Sequence, residues 1–181
     1  PHPLPAWFDP ELPARNDDLS VRVVLPADAA DWQPSLHPGL EMRVLEHFTG
    51  EAPRLSAQLR LAADTEAAAL GSIADVELLV QRGGLVAVSE LWPAGHYVRL
   101  PVARVQTPDP LTLRTAEAPA DDASPPALLY VATGHIAESD AERRIIATAE
   151  SESWLPGPVT GTEVLPLHGH NSANVMLVRW L

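Results

Sequence analysis

Two stretches decide the reading of this chain: RVVLPADAADWQPSLHPGLEMRVL, from Arg22 to Leu45, and RIIATAESESWLPGPVTGTEVLPL, from Arg144 to Leu167. They align without a gap at an offset of 122 residues. Arg22, Ala27, Trp32, Pro34, Gly39, Glu41 and Leu45 are identical to Arg144, Ala149, Trp154, Pro156, Gly161, Glu163 and Leu167. Val23 and Val24 meet Ile145 and Ile146, and after a slip of three residues Arg60 meets Arg179. A match that keeps a Trp and a Gly marks two copies of one supersecondary unit. Equivalence also predicts that Glu41 pairs with Arg60 and Glu163 with Arg179 as structural ion pairs. Trp32 and Trp154 are then core or sheet-packing residues.

Around these copies the chain reads as β-rich. Its 19 prolines are spread along the sequence and break any long helix. Short alternating or β-branched runs recur between turn signals at 19–25, 40–47, 54–62, 76–81, 85–90, 96–101, 111–116, 127–133, 143–149, 161–168 and 173–181. This spacing predicts an all-β sandwich or barrel. The Ala-rich segment 63–71 is compatible with a helical turn or a loop, TAEAPADDASPP at 115–126 reads as a surface loop, and Arg82-Gly83-Gly84 reads as a hairpin turn. Three parts follow: a Pro-rich arm over 1–18, a first domain over 19–140, and the opening strands of a second, incomplete repeat over 141–181. A half-built sheet has an open edge, so these last strands are expected to pair with the first barrel or with another chain in a homodimer or higher oligomer, or else the chain is incomplete. Trp7 and Phe8 in the arm are expected to dock on the chain's own barrel rather than on a partner.

Composition excludes several functions. Of 181 residues, 12 are basic, all of them Arg, against 24 Asp plus Glu, for a net charge of −12. Nucleic acid is therefore not an expected partner. With no Cys, disulfides, thiol chemistry and thiolate metal sites are excluded, leaving His and carboxylates as metal ligands. No apolar run is long enough to span a membrane and the start lacks a signal-peptide pattern, so a soluble cytoplasmic protein without membrane partners is expected. There is no Gly-x-Ser-x-Gly, no phosphate-cradling Gly-rich loop and no His-Glu-x-x-His. The acidic pairs Asp17-Asp18 and Asp121-Asp122 read as solvated loop surface.

Three motifs carry a resemblance. They are Trp154-Leu-Pro156-Gly157, then Gly161-Thr-Glu163-Val-Leu-Pro-Leu-His168 with Leu177-Val-Arg179-Trp180, and WPAGHYVRLP over 92–101. Together they resemble the cupins of the ChrR-like (anti-sigma-factor) family, from about Leu19 onward. The resemblance implies a cupin jelly-roll barrel (double-stranded β-helix), here followed by strands of a second cupin repeat. It also implies a divalent metal held by three His and a Glu. This sequence departs from that ligand set. Aligned back from Arg82-Gly83, the first two His positions fall on Leu70 and Ser72, Glu77 matches the carboxylate, and Gln106 stands in the third His position before Thr107-Pro108. Without imidazole donors the first barrel is expected to hold no metal. Leu70, Ser72, Glu77 and Gln106 would line an apolar pocket for a small organic ligand, with Gln106 and Glu77 as its polar handles.

His168-Gly169-His170 is the one His-x-His in the chain. Residues i and i+2 of a strand share a face, so both imidazoles could reach one ion, Zn or Fe, if the second repeat is functional. Gly169 with Asn171 and Ser172 also suggests a turn there. His47 and His96 read as surface or strand-end residues. The expected function is a metal-poor binding, sensing or assembly module. The alternative is a metal-dependent cupin enzyme, dioxygenase-like on a small diketone. A third reading is a ChrR-like regulator of a sigma factor, which would need a Cys-ligated zinc domain that this chain lacks.

Overall fold

The computed structural model describes residues 4–5, 7–18, 20–21, 23, 32–51, 53–62, 66–67, 76–87, 90–101, 113–115, 127–134, 136, 140, 142, 144–147, 154–171 and 173–181. Within them the chain is all-β. In order the strands are β1 (Gln33–Pro34), β2 (Leu40–Phe48), β3 (Arg54–Leu61), β4 (Glu66–Ala67), β5 (Val76–Arg82), β6 (Gly84–Ala87) and β7 (Glu90–Pro93). There follow β8 (His96–Leu100), β9 (Leu113–Thr115), β10 (Ala127–Thr133), β11 (Arg144–Ala147), β12 (Leu155–Pro156), β13 (Thr162–His170) and β14 (Ala173–Trp180). They form a seven-stranded sheet in the order β1-β2-β3-β10-β5-β8-β11, a four-stranded sheet β4-β9-β6-β7, and a three-stranded sheet β12-β13-β14. Every pairing is antiparallel, as a jelly roll requires.

Alternation along the strands builds one main core. Leu40, Met42 and Val44 of β2, Leu55 to Leu61 at every second place of β3, and Val76, Leu78 and Val80 of β5 turn to one side of the large sheet. Val98 and Leu100 of β8 and Leu129 and Val131 of β10 join them. Leu85 and Trp92 close the core from the four-stranded sheet, and Trp7 and Phe8 of the N-terminal arm plug it. The arm is thus an integral part of this core. It is tied down by reciprocal backbone hydrogen bonds between Arg15 and His47 (3.0 and 2.8 Å). His47, expected at the surface or a strand end, is buried: Phe8 meets its ring edge-on with centroids 4.8 Å apart, and its Nδ1 lies 3.2 Å from the Pro13 carbonyl.

Two turn readings are corrected. Arg82-Gly83-Gly84 is a corner, not a hairpin. β5 ends there in the large sheet, β6 begins in the four-stranded one, and the two do not pair with each other. Gly83 takes φ +73° and would bring a Cβ within 3.1 Å of Ala127 Cα, so the corner favours Gly on both counts. The run at 85–90 divides into β6 and β7, which pair as a hairpin from Gly84 with Pro93 to Ala87 with Glu90. At 63–71 the structure places the short strand β4 over 66–67, while the rest of that segment and 116–126 lie outside the described residues. Gly134, after β10, sits at φ +76°, and a Cβ there would run into the Pro53 carbonyl oxygen. Gly134→Ala is expected to cost more than about 1 kcal/mol in urea unfolding, because neither the backbone nor the neighbour can yield cheaply.

The aligned positions of the two stretches pair in the same way. Pro34 faces Glu41 and Pro156 faces Glu163; Glu41 faces Arg60 and Glu163 faces Arg179. The ion pairs close at 2.6 Å in the first copy and 2.5 Å in the second. Each guanidinium also lies over its Trp, Arg60 over Trp32 at 4.8 Å and Arg179 over Trp154 at 4.3 Å. Gly39 and Gly161 take φ +78° and +82° at the same tight turn. Even the β-bulges coincide, between Val44 and Glu46 in one copy and between Pro166 and His168 in the other.

Candidate functional site

The same alternation that buries Val76, Leu78 and Val80 sends Glu77 and Leu79 to the other face of the large sheet. Tyr97 and Arg99 of β8, and Tyr130 and Ala132 of β10, join them there. Against this face packs the second unit. Leu165 and Leu167 of β13 meet Tyr97 in a second, smaller core, with Leu79, Ile146, Trp154, Val175 and Leu177 around it. The strand β11 ties the unit down by pairing with β8 from Arg144 with Arg99 to Ala147 with His96. Between sheet and unit lies a cavity of about 700 Å³.

One wall of that cavity is a buried polar chain. Tyr97 donates its hydroxyl to Glu77 Oε1 at 2.6 Å. Arg99, 2% exposed, lies next: its Nε is 3.4 Å from the same Glu77 oxygen, close enough for an ion pair but without hydrogen-bond geometry. Its Nη1 and Nη2 fork onto Asp140 Oδ1 and Oδ2 at 3.3 and 2.7 Å, and Nη1 also donates to the Glu142 carbonyl at 2.6 Å. Asp140 Oδ2 in turn lies 2.6 Å from His168 Nε2. A carboxylate can only accept, so Nε2 carries the proton, and Asp140 fixes the tautomer and orientation of the ring. His168 Nδ1 is buried without a hydrogen bond and stands 4.0 Å from Glu142 Oε2. Burial pushes the Asp140 carboxyl up, but the His168 hydrogen bond and the charge of Arg99 outweigh it. The group stays below the usual carboxylate range.

Of the residues read from sequence as a site, Glu77, His168 and His170 line this one cavity. Glu77 faces away from the core that its neighbours Val76 and Leu78 fill, so it belongs to the space between the sheet and the second unit. Leu70, Ser72 and Gln106 lie outside the described residues. His168 and His170 are both strand residues of β13, with the turn placed one residue later at Asn171, φ +53°. Asp140 joins them, His170 Nδ1 lying 3.9 Å from Oδ1. His168 donates its Nε2–H to Asp140, which Arg99 also forks, so the ring nitrogen left to meet a ligand or an ion is the buried Nδ1.

Tyr97, Arg99 and Asp140 were not singled out by the sequence. A signal for Asp140 existed: it lies at the repeat offset from Asp18, four residues before the aligned stretch begins. Equivalence of position did not preserve the role. Asp18 is exposed and caps Ser20, accepting from its backbone N at 2.9 Å and its hydroxyl at 2.6 Å, while Glu46 holds the place of His168.

No family model and no curated protein matches the chain. Among solved structures it is similar to a Pseudomonas aeruginosa protein with the provisional name glyoxylate-induced protein, at a TM-score of 0.56 and 12% sequence identity. The match covers 83% of this chain and 58% of the other, so the chain spans little more than half the length of that neighbour. No helix among the described residues is long and apolar enough to cross a membrane. The sheet order, the strand pairings and this likeness together make the molecule an all-β, cupin-like barrel protein.

Proposed function

We propose that this is a small-molecule-binding cupin-like protein, and that its ligand occupies the cavity between the large sheet and the second unit. The observation that carries this reading is the cavity itself. Its volume is in the range of about 300–1,000 Å³ typical of ligand sites. Its walls combine apolar side chains such as Leu79, Val175 and Leu177 with a buried, pre-ordered polar chain from Tyr97 to His168. Such a wall needs no rearrangement to receive a ligand, which lowers the cost of binding.

Charge selects the class of ligand. Two buried carboxylates, Glu77 and Asp140, share one guanidinium, and Arg99 is already engaged by both. An anion would therefore meet uncompensated carboxylates, whereas a neutral or cationic head group on an apolar body is accepted. Glyoxylate, a probe suggested by the neighbour's name, is expected to bind more weakly than neutral amides or amines of similar size.

The test is ligand-observed NMR with a small set of such fragments on the wild-type chain and on Val175→Trp. Val175 lines the cavity and is only half-buried, so a larger ring there fills the space without crushing the core. Binding is expected to fall by about tenfold or more in the variant while its thermal unfolding stays cooperative. Equal binding by both proteins, or a preference for carboxylates, contradicts the reading.

A further inference from the structure

The donors of the buried polar chain face its own acceptors. Tyr97 gives its hydroxyl hydrogen to Glu77, Arg99 gives its Nη hydrogens to Asp140 and the Glu142 carbonyl, and His168 gives its Nε2–H to Asp140. What this arrangement leaves for a ligand is an acceptor. His168 lines the cavity with its side chain 5% exposed, and its Nδ1 is buried without a hydrogen bond. Because Nε2 carries the proton, Nδ1 presents a lone pair. Glu142 Oε2 stands 4.0 Å away, beyond hydrogen-bonding distance, and a carboxylate has no hydrogen to offer. Two acceptors thus face each other across a gap. Two hydrogen bonds from a single nitrogen, each about 2.8–2.9 Å long, span roughly 4–5 Å, so one amino group placed between them satisfies both. The Glu142 side chain is 54% exposed and can shift to admit it.

We propose that the ligand carries a nitrogen bearing at least two hydrogens, as in a primary ammonium or a primary amide, and that this group docks between His168 Nδ1 and Glu142 Oε2. The inference rests on the cavity reading above and narrows it from the charge of the head group to the hydrogens it donates. Local charge supports it. Glu77, Asp140 and Glu142 set three carboxylates against the one guanidinium of Arg99, which favours a group that is positive or presents polarised N–H bonds. Asp140 holds the imidazole ring, so the direction of the Nδ1 lone pair is set before a ligand arrives. An acceptor that stays buried without a donor is costly, so the site gains from a ligand that brings one. A fully methylated analogue of the same shape brings no hydrogen and leaves Nδ1 unsatisfied.

The test compares two matched pairs of probes, benzylamine with benzyltrimethylammonium and benzamide with N,N-dimethylbenzamide. Their binding is measured by ligand-observed NMR on EDTA-treated wild type, His168→Gln and Val175→Trp. The Gln amide can still donate to Asp140 from the Nε2 position but offers no acceptor in place of Nδ1. Wild type is expected to bind the unmethylated member of each pair about tenfold or more tightly, and His168→Gln to bind both members nearly equally. If that variant unfolds, heteronuclear NMR of the wild-type imidazole nitrogens decides at neutral pH. His168 should show one protonated nitrogen and one bare one, and the bare one should shift with benzamide but not with its dimethyl analogue. Loss of all four probes in Val175→Trp, with no discrimination within pairs by the wild type, overturns this proposal and leaves the cavity reading intact. Undiminished binding to Val175→Trp overturns the cavity reading and this proposal with it. A His168 ring protonated on both nitrogens, or binding that appears only once zinc is returned to the EDTA-treated protein, overturns the proposal as well.

Discussion

Asp140→Ala is expected to lower the stability of the folded chain by about 3–5 kcal/mol in urea unfolding, because it strands the buried Arg99 without its forked partner. Arg99 is 2% exposed and directs both terminal nitrogens at Asp140, and what remains to it is the neutral Glu142 carbonyl and Glu77, which already accepts from Tyr97. His168 loses the carboxylate that orders its ring in the same substitution. A buried ion pair is weak grounds for stability when both partners are replaced, whereas breaking it from one side is costly. Arg99→Met combined with Asp140→Leu should therefore recover most of the loss, and the double-mutant cycle measures the coupling.

The same carboxylate sets an acid limit. Its folded pKa lies below the unfolded value, so the unfolded chain takes up this proton first as pH falls. Its contribution is fully present above the unfolded pKa of about 3.9 and disappears as pH falls through the lower folded value. Asp140→Asn should remove that part of the acid dependence. Urea midpoints of wild type and variant are expected to converge as pH drops below about 4. Midpoints that stay equally far apart from neutral pH to the acid limit would contradict the assignment.

Phe8→Ala carries the second large effect, about 3–5 kcal/mol by the usual cost of removing a buried aromatic ring. Phe8 is 1% exposed and meets both His47 and Trp7 edge-on, at 4.8 and 6.2 Å, so its loss opens a cavity inside the main core. A surface arm would give a loss within about 0.5 kcal/mol. Chemical denaturation followed by near-UV signals separates the two outcomes.

What the sequence disclosed followed from repetition and alternation, and what it hid followed from long-range geometry. The Glu41–Arg60 and Glu163–Arg179 pairs were legible because each copy of the unit checks the other, and both close at hydrogen-bonding distance. Most of the long strands were legible from period-two runs. The two-residue strands β1, β4 and β12 were not, since a pair of residues carries no period. Gly83 read as a hairpin turn because a sheet-crossing corner and a hairpin both call for a Gly at positive φ. At the site, Glu77 was found through a motif alignment, but the face it points to depends on the parity of β5 relative to Val76 and Leu78. Arg99 hid within the otherwise apolar run HYVRLP, where a buried cation is explained only by Asp140, 41 residues further on.

The cavity between the large sheet and the second unit is the proposed seat of the ligand. Soaking crystals of the chain with a library of small neutral and basic fragments tests this most directly. Fragment density is expected against Glu77, Tyr97 and His170, with the Arg99–Asp140–His168 chain unmoved. Fragments that leave this cavity empty and cluster inside the barrel core around Trp92 and Leu129 would contradict it.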